Sequence, residues 1–353
     1  MDFEQFKENL TKDVKACFDD RTGADSSVEV HKVDKMNYSY EAMVVKPEGS
    51  DVGVSIDVNN LYEAYQNGTS YEQIVAGATE SAEHYLNDKP DFNIDALKDY
   101  SQMKDKLSMD VVSSERNAEL LEKVPHKNIE DMAVVYRFVL DDVKGSVLVT
   151  NQMLENYKVT PEQLHADAME VAPEIRPAVI KGMSEVLAES LGVEQAEALG
   201  LGPVPDEPIF VASVEDNIRG AGILAYQDFM DQAADRLGGS FYILPSSVHE
   251  ILLVKDNGQF NKDSLEKMVV EVNATTVKPE DKLTDSVYHY DSKEKIFEMA
   301  EKFENRVREA KEAAPKEKAS LVAEISAKKK EIAAAPKKDA PVPVPKTKGG
   351  EAK

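Results

Sequence analysis

Three short runs near the start of the chain alternate polar and apolar residues, and that period of two is the strongest constraint on the fold. Val28–Lys35 and Tyr38–Lys46 flank Asn37, and Val52–Val58 (V-G-V-S-I-D-V) follows the loop Pro47–Asp51. Alternation sends successive side chains to opposite faces of a strand. A turn residue between two such runs joins them antiparallel. The spacing therefore predicts a β-hairpin and a third strand. Ahead of it, Phe3, Phe6, Leu10, Val14 and Cys17 recur at helical spacing. Behind it, Asn59 or Asn60 is placed to cap a helix carrying Leu61, Tyr62 and Tyr65, which ends at Asn67-Gly68. Ser70, with Gln73 three residues on, has the form of a capping box and opens a helix to about Leu86. The three tyrosines around Asn67-Gly68 (Tyr62, Tyr65, Tyr71) read as core packing, ring buried and hydroxyl wet.

Further on, Asn93–Leu107 reads as a helix, Met109–Val112 as a short strand and Glu115–Glu122 as a short helix. Met132–Leu140 and Ser146–Thr150, with Gly145 between them, make a second hairpin. Gln152–Tyr157 is helical. Thr160-Pro161 is a helix start, with Thr as cap and Pro in the first turn, and Pro177–Leu191 reads as one further helix. Ile209–Val214, Phe241–Leu244 and Ile251–Val254 are strand-like, Ser286–Tyr290 is extended, and Ile223–Leu237 and Asn261–Val272 are helical. Hairpins outnumber strand–helix–strand units, which argues for an α+β class of short antiparallel sheets packed with amphipathic helices. From Ser292 the apolar residues Ile296, Ala300, Phe303, Val307, Ala310 and Ala314 follow a coiled-coil-like seam. A weaker helical stretch lies beyond Pro315, and a Pro/Lys-rich end reads as disordered. The regions expected are 1–107 and 108–291, both α+β, a helical segment 292–335 and a tail 336–353.

The net charge is −24, and residues 301–353 carry 14 Lys and Arg against 9 Asp and Glu. Removing that +5 leaves −29 on residues 1–300. Phosphate binding needs clustered cations, so nucleic-acid binding by this part is disfavoured. The single cysteine, Cys17, permits no internal disulfide and reads as a small packed hydrophobe. The acidic N-terminus has no signal-peptide form, and no stretch reaches the ~18–20 apolar residues of a membrane helix. The expected location is the cytoplasm, with no membrane partner.

Four stretches carry a family likeness: P-H-K-N-I-E-D-M-A-V-V-Y (125–136), L-G-G-S-F-Y-I-L-P-S-S-V-H-E-I-L-L-V (237–254), M-V-V-E-V-N-A-T-T-V (268–277) and S-V-Y-H-Y-D (286–291). In them the chain resembles an uncharacterised bacterial family, the domain-of-unknown-function family 5688, over residues 1–291. The resemblance implies one continuous family unit and supplies no activity, cofactor or catalytic residue.

The candidate binding residues are Tyr242, Ser246, Ser247, His249, Glu250, Tyr288 and His289. A hydroxyl near a histidine and a carboxylate suggests hydrolysis, but Pro-Ser-Ser is also ordinary turn chemistry. If residues 286–291 pair beside 241–254, His249, His289 and Glu250 could converge on a metal. His31, His84 and His165 read as exposed, and His126 as the end of a loop. Arg219-Gly220-Ala221-Gly222 lacks the spacing of either glycine-rich phosphate motif and reads as a tight turn. With no catalytic motif, the chain reads as a non-catalytic binding or interaction module, its cofactors unknown and no metal assigned. The 296–314 helix would serve self-association or a protein partner. A hydrolase-like or metal-assisted enzyme using Ser247, His249, Glu250 and His289 stays open, as does an acidic decoy that mimics DNA.

Overall fold

In a computed structural model, which describes residues 1–50, 52–87, 94–140, 145–198, 204, 206–313 and 328, the helical spacing of the first residues becomes α1 (Phe3–Thr22). Phe6, Leu10, Val14 and Phe18 form its buried face. Asp2 caps it by accepting from the Gln5 N–H, and Gly23 closes it in the left-handed conformation that glycine adopts without strain. The apolar face joins a core with β1 (Ser26–Lys35), β2 (Tyr38–Pro47), β3 (Val54–Asp57), α2 (Val58–Gln66) and α3 (Tyr71–Asn87). The three strands form an antiparallel sheet in the order β1-β2-β3. The Phe6 ring meets those of Tyr62, Tyr65 and Tyr71, so the tyrosine cluster is part of this core. Ser70 and Gln73 exchange the two bonds of a capping box. Asp57, rather than Asn59 or Asn60, caps α2; Asn59 instead accepts from the Glu41 N–H.

Residues 94–106 contain α4 (Tyr100–Met103) flanked by two 3-10 turns, not one long helix. Then come β4 (Leu107–Ser113), α5 (Ala118–Leu121), β5 (His126–Ile129), β6 (Met132–Leu140) and β7 (Gly145–Leu148). β6 pairs with all three of its companions. His126, expected to end a loop, opens β5. α6 (Asn151–Tyr157) and α7 (Pro161–Ile175) follow, α7 capped by Thr160.

The remaining strands are β8 (Ala178–Gly182), β9 (Ile209–Val214), β10 (Phe241–Leu244), β11 (Ile251–Lys255), β12 (Tyr288–Asp291) and β13 (Ile296–Met299). They form a sheet in the order β13-β12-β10-β11-β9-β8. Helices α8 (Met183–Leu191), α9 (Val193–Ala198), α10 (Phe229–Leu237) and α11 (Lys262–Thr275) connect them. Every described strand pairing is antiparallel, as an α+β chain of hairpins requires.

The inner strands β6 and β10 of the two larger sheets are buried on both faces. On β6, Met132, Val134, Tyr136, Phe138 and Leu140 enter the largest apolar cluster, while Ala133 and Val135 pack with Met36, Leu120, Leu121 and Val124. On β10, Phe241 and Ile243 enter that same largest cluster, and Tyr242 and Leu244 pack with Leu265 and Val269 of α11. Covering both faces explains why these strands read as nearly continuous apolar runs.

Three expectations are corrected. Residues 178–182, expected in a helix, are β8, paired over five positions with β9. Residues 223–237 are not one helix: a 3-10 segment, Gly220–Ala225, precedes α10. Residues 292–295 form a turn and Ile296–Met299 pair with β12, so Ile296 belongs to a strand and not to the helical seam. In each case a backbone ladder or a glycine-tight packing contact, which local spacing does not encode, overrides the helical period. A helix does follow, over residues 300–313. Residues 1–300 form one compact unit, and the described residues from Glu301 on belong to a second. Ala314, the expected helical stretch after Pro315 (except Lys328) and the tail 336–353 lie outside the described residues. No helix among the described residues is long and apolar enough to cross a membrane.

Candidate functional site

The turn between β1 and β2 builds one wall of a cleft. Asn37 stands at φ +69°, a left-handed conformation that asparagine tolerates better than most side chains. Its N–H donates to Asn117 Oδ1 at 2.7 Å, and its Nδ2 donates to the carbonyls of Glu280 and Lys282, each at 2.8 Å. Asn117 Nδ2 returns a bond to Asn37 Oδ1 at 2.9 Å. Met36 is driven into the small cluster around Val112 and Leu120. So fixed, Lys35, Met36 and Tyr38 face Arg137, Arg219 and His249 across a cleft of about 460 Å³.

At the base of the arginine side is Asp110 of β4, 2 % exposed. Its Oδ2 accepts from Arg137 Nε at 2.7 Å and lies 3.4 Å from Arg219 Nη1. A buried carboxylate persists only when paired; here two guanidinium groups share one carboxylate, and the cleft lining also carries Asp34, Glu280 and Asp281. Burial pulls Arg137 below its ordinary pKa; Asp110 opposes this and Arg219 adds to it. Arginine starts so high that it remains a cation. Arg137 Nη1 donates to Ser146 Oγ at 3.1 Å, and Arg219 Nη1 lies 3.0 Å from Met36 Sδ.

Arg219 is held at φ +55°, a conformation that a non-glycine residue keeps only when its surroundings impose it. Those surroundings are backbone. The N–H groups of Gly220 and Ala221 donate to the carbonyls of His249 (2.9 Å) and Val248 (3.1 Å). A Cβ on Gly220 would lie 2.0 Å from Ser213 Oγ, and one on Gly222 2.0 Å from the Met109 carbonyl. The glycines thus serve close backbone approach, and the Gly220 and Ala221 N–H groups are already used. This is a tight turn that aims an arginine.

His249 sits between two partners. The Arg219 N–H donates to Nδ1 at 3.2 Å, so the ring proton belongs on Nε2, 3.0 Å from Asp281 Oδ1. Ser247 Oγ accepts from the His249 N–H at 3.1 Å, a bond of turn chemistry. Both ring nitrogens are therefore engaged by groups other than the Ser247 hydroxyl. The Ser246 carbonyl accepts from the Leu283 N–H, and Glu250 is exposed.

The other candidates lie elsewhere. Tyr242 and His289 are register partners on β10 and β12, their rings 5.0 Å apart. His289 is fully buried, with Nε2 3.0 Å from Asp256 Oδ2. Tyr288 points the opposite way along β12, into the largest cluster, and donates to Asp131. The two histidines thus hold different aspartates. Among the described residues no group of three or more His, Cys, Asp or Glu is placed to hold a metal ion. His31 and His84 are exposed, but His165 is half-buried. It lies 3.0 Å from both Tyr136 Oη and Lys127 Nζ, and burial lowers its pKa.

Sequence reasoning found His249 and missed Lys35, Asp110, Arg137 and Arg219. Two of these left a signal: Asp110 and Arg137 are charges inside otherwise apolar strands, where a charge needs a partner.

The chain has no significant match among curated proteins or solved structures. A family model does match residues 3–292, ending just beyond β12 and covering both walls of the cleft. By that match the chain belongs to the Family of unknown function (DUF5688).

Proposed function

We propose that the protein is a non-catalytic, cytoplasmic binding module that holds a small carboxylate- or phosphate-bearing ligand in the cleft of Arg137, Arg219 and His249. The observation that carries this reading is the pair of arginines converging on one buried carboxylate. Among the described residues, Arg219 uses only Nη1 of its guanidinium, so its planar fork keeps donors suited to an oxyanion. The surrounding charge of −29 repels anions at long range. Screening limits that repulsion to about 8 Å at physiological salt; of the acids within the cleft, Asp34 is paired with Lys123 and Asp281 with His249, which leaves contact with the arginines to decide. Against the hydrolytic alternative, the ring nitrogens of His249 are engaged, among the described residues, by the Arg219 N–H and Asp281 and not by a hydroxyl.

Calorimetric titration with succinate and with inorganic phosphate tests the proposal. One of them is expected to bind, more weakly as salt rises. Arg219→Gln is expected to reduce affinity at least tenfold while the melting temperature changes little. Absence of binding by both, or an Arg219→Gln protein that binds as before, would sink it. The proposed self-association rests on a shorter seam of Phe303, Val307 and Ala310, because Ala300 is buried in the core of the 1–300 unit. A cut after Ala300 tests it cleanly, because a cut at Asp291 also removes β13. An unchanged mass in solution after that cut would remove this part.

A further inference from the structure

The sequence contains two Asn-Gly pairs, Asn67-Gly68 and Asn257-Gly258. In such a pair the glycine nitrogen can attack the carbonyl carbon of the asparagine side chain, because glycine has no side chain to obstruct the ring that forms. The attack requires the glycine N–H to give up its proton and the peptide to turn toward the side chain. Both pairs are exposed, so access to water does not separate them. Their hydrogen bonds do. Asn67-Gly68 closes α2. The Gly68 N–H donates to the Tyr65 carbonyl at 3.1 Å, and the Thr69 N–H to the Ala64 carbonyl at 3.0 Å. These are the two bonds of a Schellman helix end. The Asn67 N–H is held as well, by the Glu63 carbonyl at 2.9 Å. Attack by the Gly68 nitrogen therefore costs a hydrogen bond and opens the helix end.

Asn257-Gly258 lies in the bend between β11 and α11. Among the described residues the Gly258 N–H donates to no backbone carbonyl outside regular elements and to no side chain. Asn257 Oδ1 accepts from the Gln259 N–H at 3.1 Å, the bond of an Asx turn. Negative charge gathers on this same oxygen as the side-chain carbon is attacked. A donor already placed there stabilises that charge without reorganisation, as in an oxyanion hole. At one pair the hydrogen bonds restrain the nucleophile; at the other they leave it free and assist the electrophile.

We infer that Asn257 is a site of self-catalysed deamidation in the folded protein and that Asn67 is protected. The Gly258 nitrogen bonds to Asn257 Cγ, its proton passes to the departing nitrogen, and ammonia leaves as the Cγ–Nδ2 bond breaks. One water then opens the cyclic imide at either carbonyl and gives aspartate or isoaspartate. One water enters and one ammonia leaves, and nothing is oxidised or reduced. The product puts a new carboxylate or an added backbone methylene directly after Asp256, whose Oδ2 lies 3.0 Å from Nε2 of the buried His289. The site is separate from the arginine cleft and does not rest on the function proposed there.

The test incubates the full chain in mildly alkaline buffer and follows both pairs by mass spectrometry. Cleavage after glutamate at acidic pH releases residues 64–72 and 251–266 as separate peptides. Asn257 is expected to convert at least tenfold faster than Asn67, to isoaspartate as well as aspartate. Asn261, in the same peptide, is expected to stay intact. In guanidinium chloride both sets of hydrogen bonds are lost, and the rates at Asn257 and Asn67 are expected to converge. The inference is overturned if Asn257 does not convert in the folded chain or if Asn67 keeps pace with it there. It is also overturned if the preference persists undiminished in guanidinium chloride, or if the product is aspartate alone, which would mean direct hydrolysis without the cyclic imide.

Discussion

Gly222 and Gly77 show how the same substitution reverses sign with its surroundings. A Cβ at Gly222 would stand 2.0 Å from the Met109 carbonyl oxygen. Backbone cannot rotate aside as a side chain can, and moving β4 would shift Asp110 from Arg137. Gly222→Ala is expected to cost about 3 kcal/mol or more, the upper range for overpacking. Gly77, in α3, has no heavy atom within 4 Å of its notional Cβ, so Gly77→Ala is expected to add roughly 0.5–1 kcal/mol. Urea midpoints of the two variants check both signs; similar shifts would contradict the packing described at Gly222. Asp34 gives a pH-dependent case. Lys123, then Ser39, holds its carboxyl down to about 2, against about 3.9 when unfolded. A folded pKa below the unfolded one contributes stability that is complete above about pH 4 and lost as pH falls toward 2. The lysine of the pair is solvated, so the contribution is under ~1 kcal/mol. Asp34→Asn is expected to destabilise by that much near neutrality and hardly at all near pH 2. Equal losses at both would show that Asp34 acts through packing instead of charge.

At the scale of elements, the sequence is most legible where local period and burial agree. α1 is an example: Phe6, Leu10, Val14 and Phe18 mark its buried face, and Asp2 and Gly23 mark its ends. The β1–β2 hairpin is another, since alternation and Asn37 specify one register. Legibility fails where a distant partner decides. Ile296 and Ala300 are four residues apart and fit a helical face, yet Ile296–Met299 becomes a strand because β12 offers it an edge. Ala178–Gly182 follows a proline that suits a helix start and a strand start equally, and β9 decides. The site divides in the same way. His249 was legible because it follows a Pro-Ser-Ser turn between apolar strands. Its partner Asp281 lies 32 residues away, and Asp110, Arg137 and Arg219 meet only through the β4–β6 register and the packing of the 219–222 turn.

At the scale of the whole 1–300 unit, the N-terminal core and the larger body meet at the hairpin turn, and Asn37 makes that meeting specific. Asn37→Gly keeps the turn, because glycine accepts φ +69° without strain. It deletes the bonds to the Glu280 and Lys282 carbonyls and the one from Asn117 Nδ2. At about 1 kcal/mol each, the loss is roughly 2–3 kcal/mol. That loss belongs to docking and not to either core, so it is expected to appear as local opening. Hydrogen exchange should quicken in α1, β1, β2 and β3 while β10, β11 and β12 keep their protection. Ligand affinity in the arginine cleft should fall as well, since Lys35, Met36 and Tyr38 are carried on the released turn. Asn37→Ala should be worse than Asn37→Gly by about 1 kcal/mol, the cost of left-handed backbone for an ordinary side chain. Exchange that quickens uniformly across both regions would mean that the two cores unfold as one and that the hairpin turn does not govern their coupling.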